Sequence, residues 1–108
     1  MNEEQPLWQL HLHRTAATTT FALAGELDLQ SADDIRTTLI EEAHRPATTT
    51  LVIDLAQVTF LDSTVLGCFI NGYYAAQQAG RTLTIVNPSP AAHRVLSITG
   101  LLALLAEA

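Results

Sequence analysis

The most telling absence in this sequence is lysine, which does not occur among its 108 residues. Without lysine the chain can supply neither the phosphate-binding lysine of a Walker motif nor Schiff-base chemistry. The five positive residues are scattered arginines, and the net charge is −6. Because nucleic-acid binders carry a basic patch, we expect no nucleic-acid partner.

Cysteine and long apolar runs are also scarce. The single cysteine cannot form an internal disulfide, which is typical of a reducing compartment. No run of about 18 apolar residues predicts a membrane span, and the start Met1–Pro6 is acidic, unlike a signal peptide. We therefore expect a cytoplasmic protein in which residues 1–108 form one domain, with 48% hydrophobic residues to build its core.

Hydrophobic periodicity predicts an antiparallel hairpin followed by alternating helices and strands. Two strand-helix-strand units require right-handed parallel crossovers. The expected fold is therefore α/β, with about four strands in a mixed sheet and three to four helices. The predicted strands are Leu7–His13, Thr18–Ala24, Thr48–Leu55 and Thr82–Val86. The predicted helices are Ser31–Ala43, with Ser31 as its cap, Ser63–Ala79, and one that starts at Ser89-Pro90 and ends at Gly100.

The junction between the third strand and the second helix is the most informative stretch. The apolar run Leu51–Leu55 is typical of a strand that is buried on both faces. Asp62, Ser63 and Thr64 then offer side chains that can cap a helix. This places a hydroxyl at a helix N-terminus, where backbone N–H groups and the helix dipole favour a phosphate.

Three motifs in this order resemble the STAS domain family of bacterial anti-sigma factor antagonists. Asp62–Gly67, preceded by Val58–Leu61, is similar to the family's Asp-Ser-Ser/Thr-Gly-Leu-Gly signature, although Val65 stands where the family usually has glycine. Gly25–Asp28 looks like the family's Gly-Glu-Leu-Asp, and Asn87–Pro90 with Leu96–Leu101 looks like its C-terminal segment.

The resemblance implies a STAS-like domain that acts in a partner switch. The unphosphorylated protein would bind an anti-sigma factor that is also a serine kinase, and phosphorylation would break that complex until a phosphatase restores it. Ser63 would be the phosphoacceptor, with Thr64 as the second candidate, and Asp28 and Asp62 would flank the binding surface. The chain would be a substrate that is not itself an enzyme and needs no cofactor, since ATP belongs to its partner.

The second helix independently suggests a binding surface, because residues 63–80 carry no charge. An exposed helix face without charge is unusual and favours burial against a partner, or against a second copy in a weak homodimer. If Leu66, Phe69 and Tyr73 face the core, the opposite side is the predicted contact face. Its predicted residues are Thr64, Val65, Cys68, Asn71, Gly72 and Ala75.

The sequence gives only weak signals for a metal site or a catalytic nucleophile. His11 and His13 share a strand face but lack a third ligand for a metal. Cys68 and His93 could form a nucleophile and its base, but Cys68 falls inside a helix, where thiolates are not stabilised. Ser63 lacks the flanking glycines of a nucleophile elbow.

Asp28, Asp54 and Asp62 are predicted near strand ends, where acidic clusters can hold Mg²⁺ or accept a phosphate. A phosphoacceptor aspartate would require a lysine on a later strand end, which this chain lacks, and Asp54 is expected in a solvated loop. Two alternatives stay open. One is a non-phosphorylated STAS subunit of a larger transport or signalling complex, and the other is a small-ligand sensor or hydrolase that uses these acids.

Overall fold

The computed structural model describes residues 7–105 and confirms the predicted α/β architecture. The four strands form one sheet in the order β1-β2-β3-β4, with β1 antiparallel to β2 and the other pairs parallel. The strands are β1 (Trp8–Thr15), β2 (Thr18–Leu27), β3 (Thr50–Leu61) and β4 (Thr82–Val86). The helices are α1 (Leu29–Ala43), α2 (Ser63–Gln78), α3 (Pro90–Thr99) and α4 (Leu101–Leu105).

The opening hairpin turns more tightly than the sequence predicts. Thr15 pairs directly with Thr18, so only Ala16 and Ala17 form the loop, and Ala16 has a φ of 54°. Trp8 and Leu10 pack against the core from one face of β1. The histidines lie on the other face and are exposed.

The two faces of the sheet are covered by different helices. Leu51 and Ile53 are fully buried and pair with Leu83 and Ile85 of β4, so these side chains share a face. Helices α1 and α2 cover that face. On the other face, the Thr84 hydroxyl donates to the carbonyl of Leu105 at 3.2 Å, which places α4 there.

Strand β3 continues beyond its predicted end at Leu55. The sequence pattern does not show this, because two irregularities in the pairing with β2 interrupt the usual alternation of buried and exposed side chains. Register shifts lie between Ala22 and Ala24 and between Gly25 and Glu26, and at each β3 has one residue more than β2. Leu55, Val58 and Leu61 are therefore all buried although they are three residues apart. The prediction that the strand ends at Leu55 is wrong, and so is the placement of Asp54 in a loop, because Asp54 lies within β3.

Two of the three predicted helix starts are confirmed. Ser89 caps α3, with Pro90 as its first residue, and α2 begins at Ser63. The prediction of Ser31 as the cap of α1 is wrong, since Asp28 is the N-cap and the helix begins at Leu29. Ser31 instead completes a capping box, in which its hydroxyl accepts from the Asp28 N–H at 3.1 Å.

A buried carboxylate joins α1 to the hairpin at the end of the sheet opposite to Asp28. Glu42 forms an ion pair with Arg14 of β1 and accepts a hydrogen bond from the Thr19 hydroxyl at 2.8 Å. Hydrogen bonding to Arg14 holds the pKa of Glu42 below its usual value, against the effect of burial. The ionised form of Glu42 therefore stabilises the fold. Among residues 7–105, no helix is long and apolar enough to cross a membrane.

Candidate functional site

The site lies where β2 and β3 end side by side. Leu27 pairs with Leu61, and the N–H of Asp62 donates to the carbonyl of Leu27 at 3.2 Å. Asp28 and Asp62 follow these paired residues directly, and each is the N-cap of a helix. The structure therefore brings the two predicted acids together, at the point where α1 and α2 begin.

Asp62 caps α2, and this leaves Ser63 available for other chemistry. The Asp62 Oδ1 atom accepts from the Val65 N–H at 3.0 Å, and the Leu66 N–H donates to the Asp62 carbonyl at 3.2 Å. Ser63 is the first helical residue and is exposed. Within residues 7–105, the Ser63 hydroxyl has no hydrogen-bond partner, so capping does not occupy it.

Three of the predicted contact residues are wrongly placed, because α2 is buried on two sides. Val65 is 0% exposed, and Cys68 and Gly72 are also buried, so none of them lies on an exposed face. The prediction assumed that α2 packs only on the sheet, whereas it also packs against α1. A Cβ on Gly72 would lie 3.1 Å from Leu39 Cδ1 of α1, and the Cys68 thiol donates to the Ala32 carbonyl of α1 at 3.3 Å.

The exposed ridge of α2 is narrower than predicted and has partly different members. Thr64 and Asn71 are exposed as predicted, and Ala75 is half-buried. Sequence reasoning missed Gly67, which is half-buried, and Tyr74, which is exposed. We define the α2 ridge by the residues Ser63, Thr64, Gly67, Asn71 and Tyr74.

Gly67 differs from Gly72 in its surroundings. Within residues 7–105, a Cβ built on Gly67 would meet no atom within 4 Å apart from its own helical backbone, whereas one built on Gly72 would press against Leu39 and Leu83. Glycine within a helix is less stable than alanine by about 1 kcal/mol. Packing inside the domain therefore explains why residue 72 is glycine but not why residue 67 is. The sequence signal for Gly67 as a functional residue is a glycine in the middle of a helical pattern.

The remaining candidate groups do not form a second site. Burial raises the pKa of the Cys68 thiol, which disfavours the reactive thiolate. His93 lies on α3, where its ring contacts the Ser97 hydroxyl at 3.3 Å. The Asp54 carboxylate accepts from the Ala56 N–H at 3.0 Å. No group of three or more metal-ligating side chains is present between residues 7 and 105.

Comparison with known proteins gives four likenesses that cover most of the chain. A family model described as "Mlab, STAS domain" matches residues 10–106. The anti-sigma-B factor antagonist of Bacillus subtilis is 37% identical over 79 residues, which are 73% of this chain and 71% of that protein. The anti-sigma factor antagonist SpoIIAA in its unphosphorylated form superimposes with a TM-score of 0.77 at 28% identity, over 93% of this chain and 88% of that one. Bacillus SpoIIAA in its phosphorylated form gives a TM-score of 0.70 at the same 28% identity, over 93% and 91% of the two chains.

Proposed function

This chain belongs to the STAS domain family, and we propose that it is an anti-sigma factor antagonist controlled by phosphorylation of Ser63. In its unmodified form it binds an anti-sigma factor in the cytoplasm and thereby releases a sigma factor. The exposed Ser63 hydroxyl at the start of α2 is the observation that carries the proposal. The chain has no catalytic activity of its own in this scheme. The anti-sigma factor acts as the serine kinase and uses ATP, and a phosphatase reverses the modification.

Ser63 is preferred to Thr64 because of its position at the cap. It is the first residue of α2, next to Asp62, which provides the capping oxygen. The Ser63 hydroxyl can therefore accept a phosphate without removing the cap from the helix. Thr64 is also exposed and is the second candidate.

The α2 ridge is the proposed contact surface for the anti-sigma factor. It carries no charge, and charged residues are likewise scarce in the core of protein interfaces, where side chains lose their water on binding. Gly67 adds a separate argument, because the described part of the chain leaves open space where its Cβ would lie. A partner that approaches the α2 backbone closely at Gly67 accounts for a glycine that the domain itself does not require.

A phosphate on Ser63 would break this complex by repulsion from a folded surface. It adds a charge of about −1.5 to −2 beside the Asp62 carboxylate, at one end of an uncharged ridge. Desolvating an unpaired charge in an interface costs about 3 to 5 kcal/mol. In the free domain the same charge lies at a helix N-terminus, where it is favoured by about 0.3 to 1 kcal/mol, and repulsion from Asp62 reduces that gain.

The position of Val65 argues against the alternative that this chain is a permanently unphosphorylated STAS subunit. A β-branched residue in the signature would hinder phosphorylation if its methyl groups stood beside the Ser63 hydroxyl. Val65 is instead fully buried, whereas Ser63 is exposed. Its methyl groups therefore pack into the core and leave the approach to the hydroxyl open.

The proposal is tested by recovering the partner and then labelling the chain. The tagged protein is purified from its native cells, bound proteins are identified by mass spectrometry, and the partner is produced separately. Incubation with ATP should label Ser63 in phosphopeptide mapping. Ser63→Ala should abolish the label but still bind the partner, and Ser97→Ala, on the exposed surface of α3, should behave as wild type.

Recovery of no anti-sigma factor would refute the proposed function. Label on Thr64 alone would refute the choice of residue while the switch itself survived.

A further inference from the structure

Leu29 is a large apolar side chain that the fold leaves in water. It is the first residue of α1 and is 71% exposed. The helix buries its apolar face further along, at Ala32, Ile35 and Leu39, so Leu29 takes no part in the core. One exposed leucine needs no explanation by itself, and its position relative to Ser63 is what makes it informative.

Leu29 and Ser63 occupy equivalent positions in neighbouring helices. Each is the first helical residue after an aspartate cap, and the two caps follow the paired residues Leu27 and Leu61. Paired strands lie about 4.8 Å apart, and packed helices about 8 to 10 Å apart. Leu29 is therefore at the same end of the domain as the Ser63 hydroxyl, within reach of a protein that docks on the α2 ridge.

A second exposed apolar side chain lies at the same end. Phe60 is 48% exposed and pairs with the exposed Glu26 of β2, one residue before the Leu27–Leu61 pair. Because Leu61 is buried and neighbouring strand residues alternate, Phe60 faces the opposite side of the sheet. Leu29 and Phe60 thus flank the strand ends from the two sides.

The chain segments that carry these two side chains have charges of one sign only. Residues 25–30 and 58–65 contain Glu26, Asp28 and Asp62 but no arginine or histidine. A partner with acidic residues on its docking surface would be repelled there, and a partner with basic residues would be attracted. The surface around Ser63 therefore combines apolar contacts with an acidic border.

We infer that Leu29 is an apolar anchor of the interface with the anti-sigma factor, which receives it in an apolar pocket bordered by basic side chains. The inference rests on the proposed function and extends the contact surface from α2 to the start of α1. It also explains how one phosphate can act on the whole interface. The new charge on Ser63 would lie close to the leucine that has to lose its water on binding.

The experiment compares the effect on binding of replacing two exposed aliphatic residues that lie on different helices. Leu29→Ser is matched by Ile98→Ser, since Ile98 is 78% exposed on α3, which packs against β3 and α4. Both variants should melt like wild type. In titration against the anti-sigma factor recovered above, Leu29→Ser should weaken binding about tenfold or more, as expected for an interface anchor, whereas Ile98→Ser should not.

The basic border is tested by salt. The Kd of wild type should rise between about 50 and 300 mM NaCl, and Glu26→Gln should reduce that rise, since exposed charges are screened beyond about 10 Å. Leu29→Ser binding within about twofold of wild type, or binding that is insensitive to salt, would overturn the inference. If wild type itself binds no anti-sigma factor, the proposed function fails, and this inference fails with it.

Discussion

Gly67→Ala should change the stability of the domain and its affinity for the partner in opposite directions. Outside its own helical backbone, the added methyl group meets no atom of residues 7–105 within 4 Å, so it introduces no clash with them. Alanine is more stable than glycine inside a helix by about 0.5 to 1 kcal/mol. For a domain of this size that gain corresponds to a melting temperature raised by roughly 2 to 6 °C.

The same methyl group should weaken binding if a partner approaches α2 closely. A methyl group that holds two packed surfaces apart costs about 1 to 3 kcal/mol, which is a loss of roughly 5- to 150-fold in affinity. Thermal and urea denaturation give the stability, and titration against the anti-sigma factor gives the affinity. The expected result is a more stable protein that binds less well.

Gly72→Ala is the matched control, because Gly72 lies on the buried side of the same helix. Its added Cβ would lie 3.1 and 3.2 Å from atoms of Leu39 and 3.4 Å from Leu83, so packing strain opposes the gain in helix propensity. This variant should be less stable than Gly67→Ala by about 1 kcal/mol or more, with unchanged affinity in its folded form. A Gly67→Ala protein that is stabilised and binds as tightly as wild type would refute the close approach of the partner.

Three further predictions concern the cap, the phosphate and the buried carboxylate. Asp62→Ala should cost about 1 kcal/mol in urea denaturation because the Val65 N–H loses its acceptor, whereas Ser63→Ala should change the stability by less than about 0.5 kcal/mol. Phosphorylated Ser63 should melt within about 2 °C of the unmodified protein yet lose roughly two to four decades of affinity; loss of binding in proportion to unfolding would contradict this. Because the pKa of Glu42 is lowered in the folded state, its stabilisation is present above the ordinary carboxyl pKa of about 4.3 and is lost as the pH falls through the lower folded value. Glu42→Gln should therefore show a smaller loss of melting temperature than wild type between about pH 5 and 3, and an equal loss would contradict the role of Glu42.

Local sequence signals predicted those parts of the fold that depend on neighbouring residues. Ser89 and Pro90 start α3 through a cap and a preset φ, and α2 begins at the predicted Ser63. The apolar run Leu51–Leu55 predicted a buried central strand, and Leu51, Ile53 and Leu55 are fully buried while the residues between them are half-buried. These features depend on residues within one helical turn or one strand, so they can be predicted without knowledge of distant contacts.

The full length of β3 could not be read in the same way. Leu55, Val58 and Leu61 are spaced by three residues, which is neither the alternation of a regular strand nor a sustained helical pattern. They share a buried face only because β3 has an extra residue at each of two shifts in its pairing with β2. Pairing with β2 thus keeps β3 a strand up to Leu61, directly before the cap Asp62.

The sequence by itself determined the order of strands and helices, the start of α2 at Ser63 and the absence of charge along that helix. Only the tertiary structure decided which side of α2 is exposed, because α1 packs beside it and buries Val65, Cys68 and Gly72. The pairing of Leu27 with Leu61 likewise placed Leu29 at the same end of the domain as Ser63. Periodicity reports which residues can share a face of one helix, but burial depends on how many neighbours that helix has, and those neighbours come from distant parts of the chain.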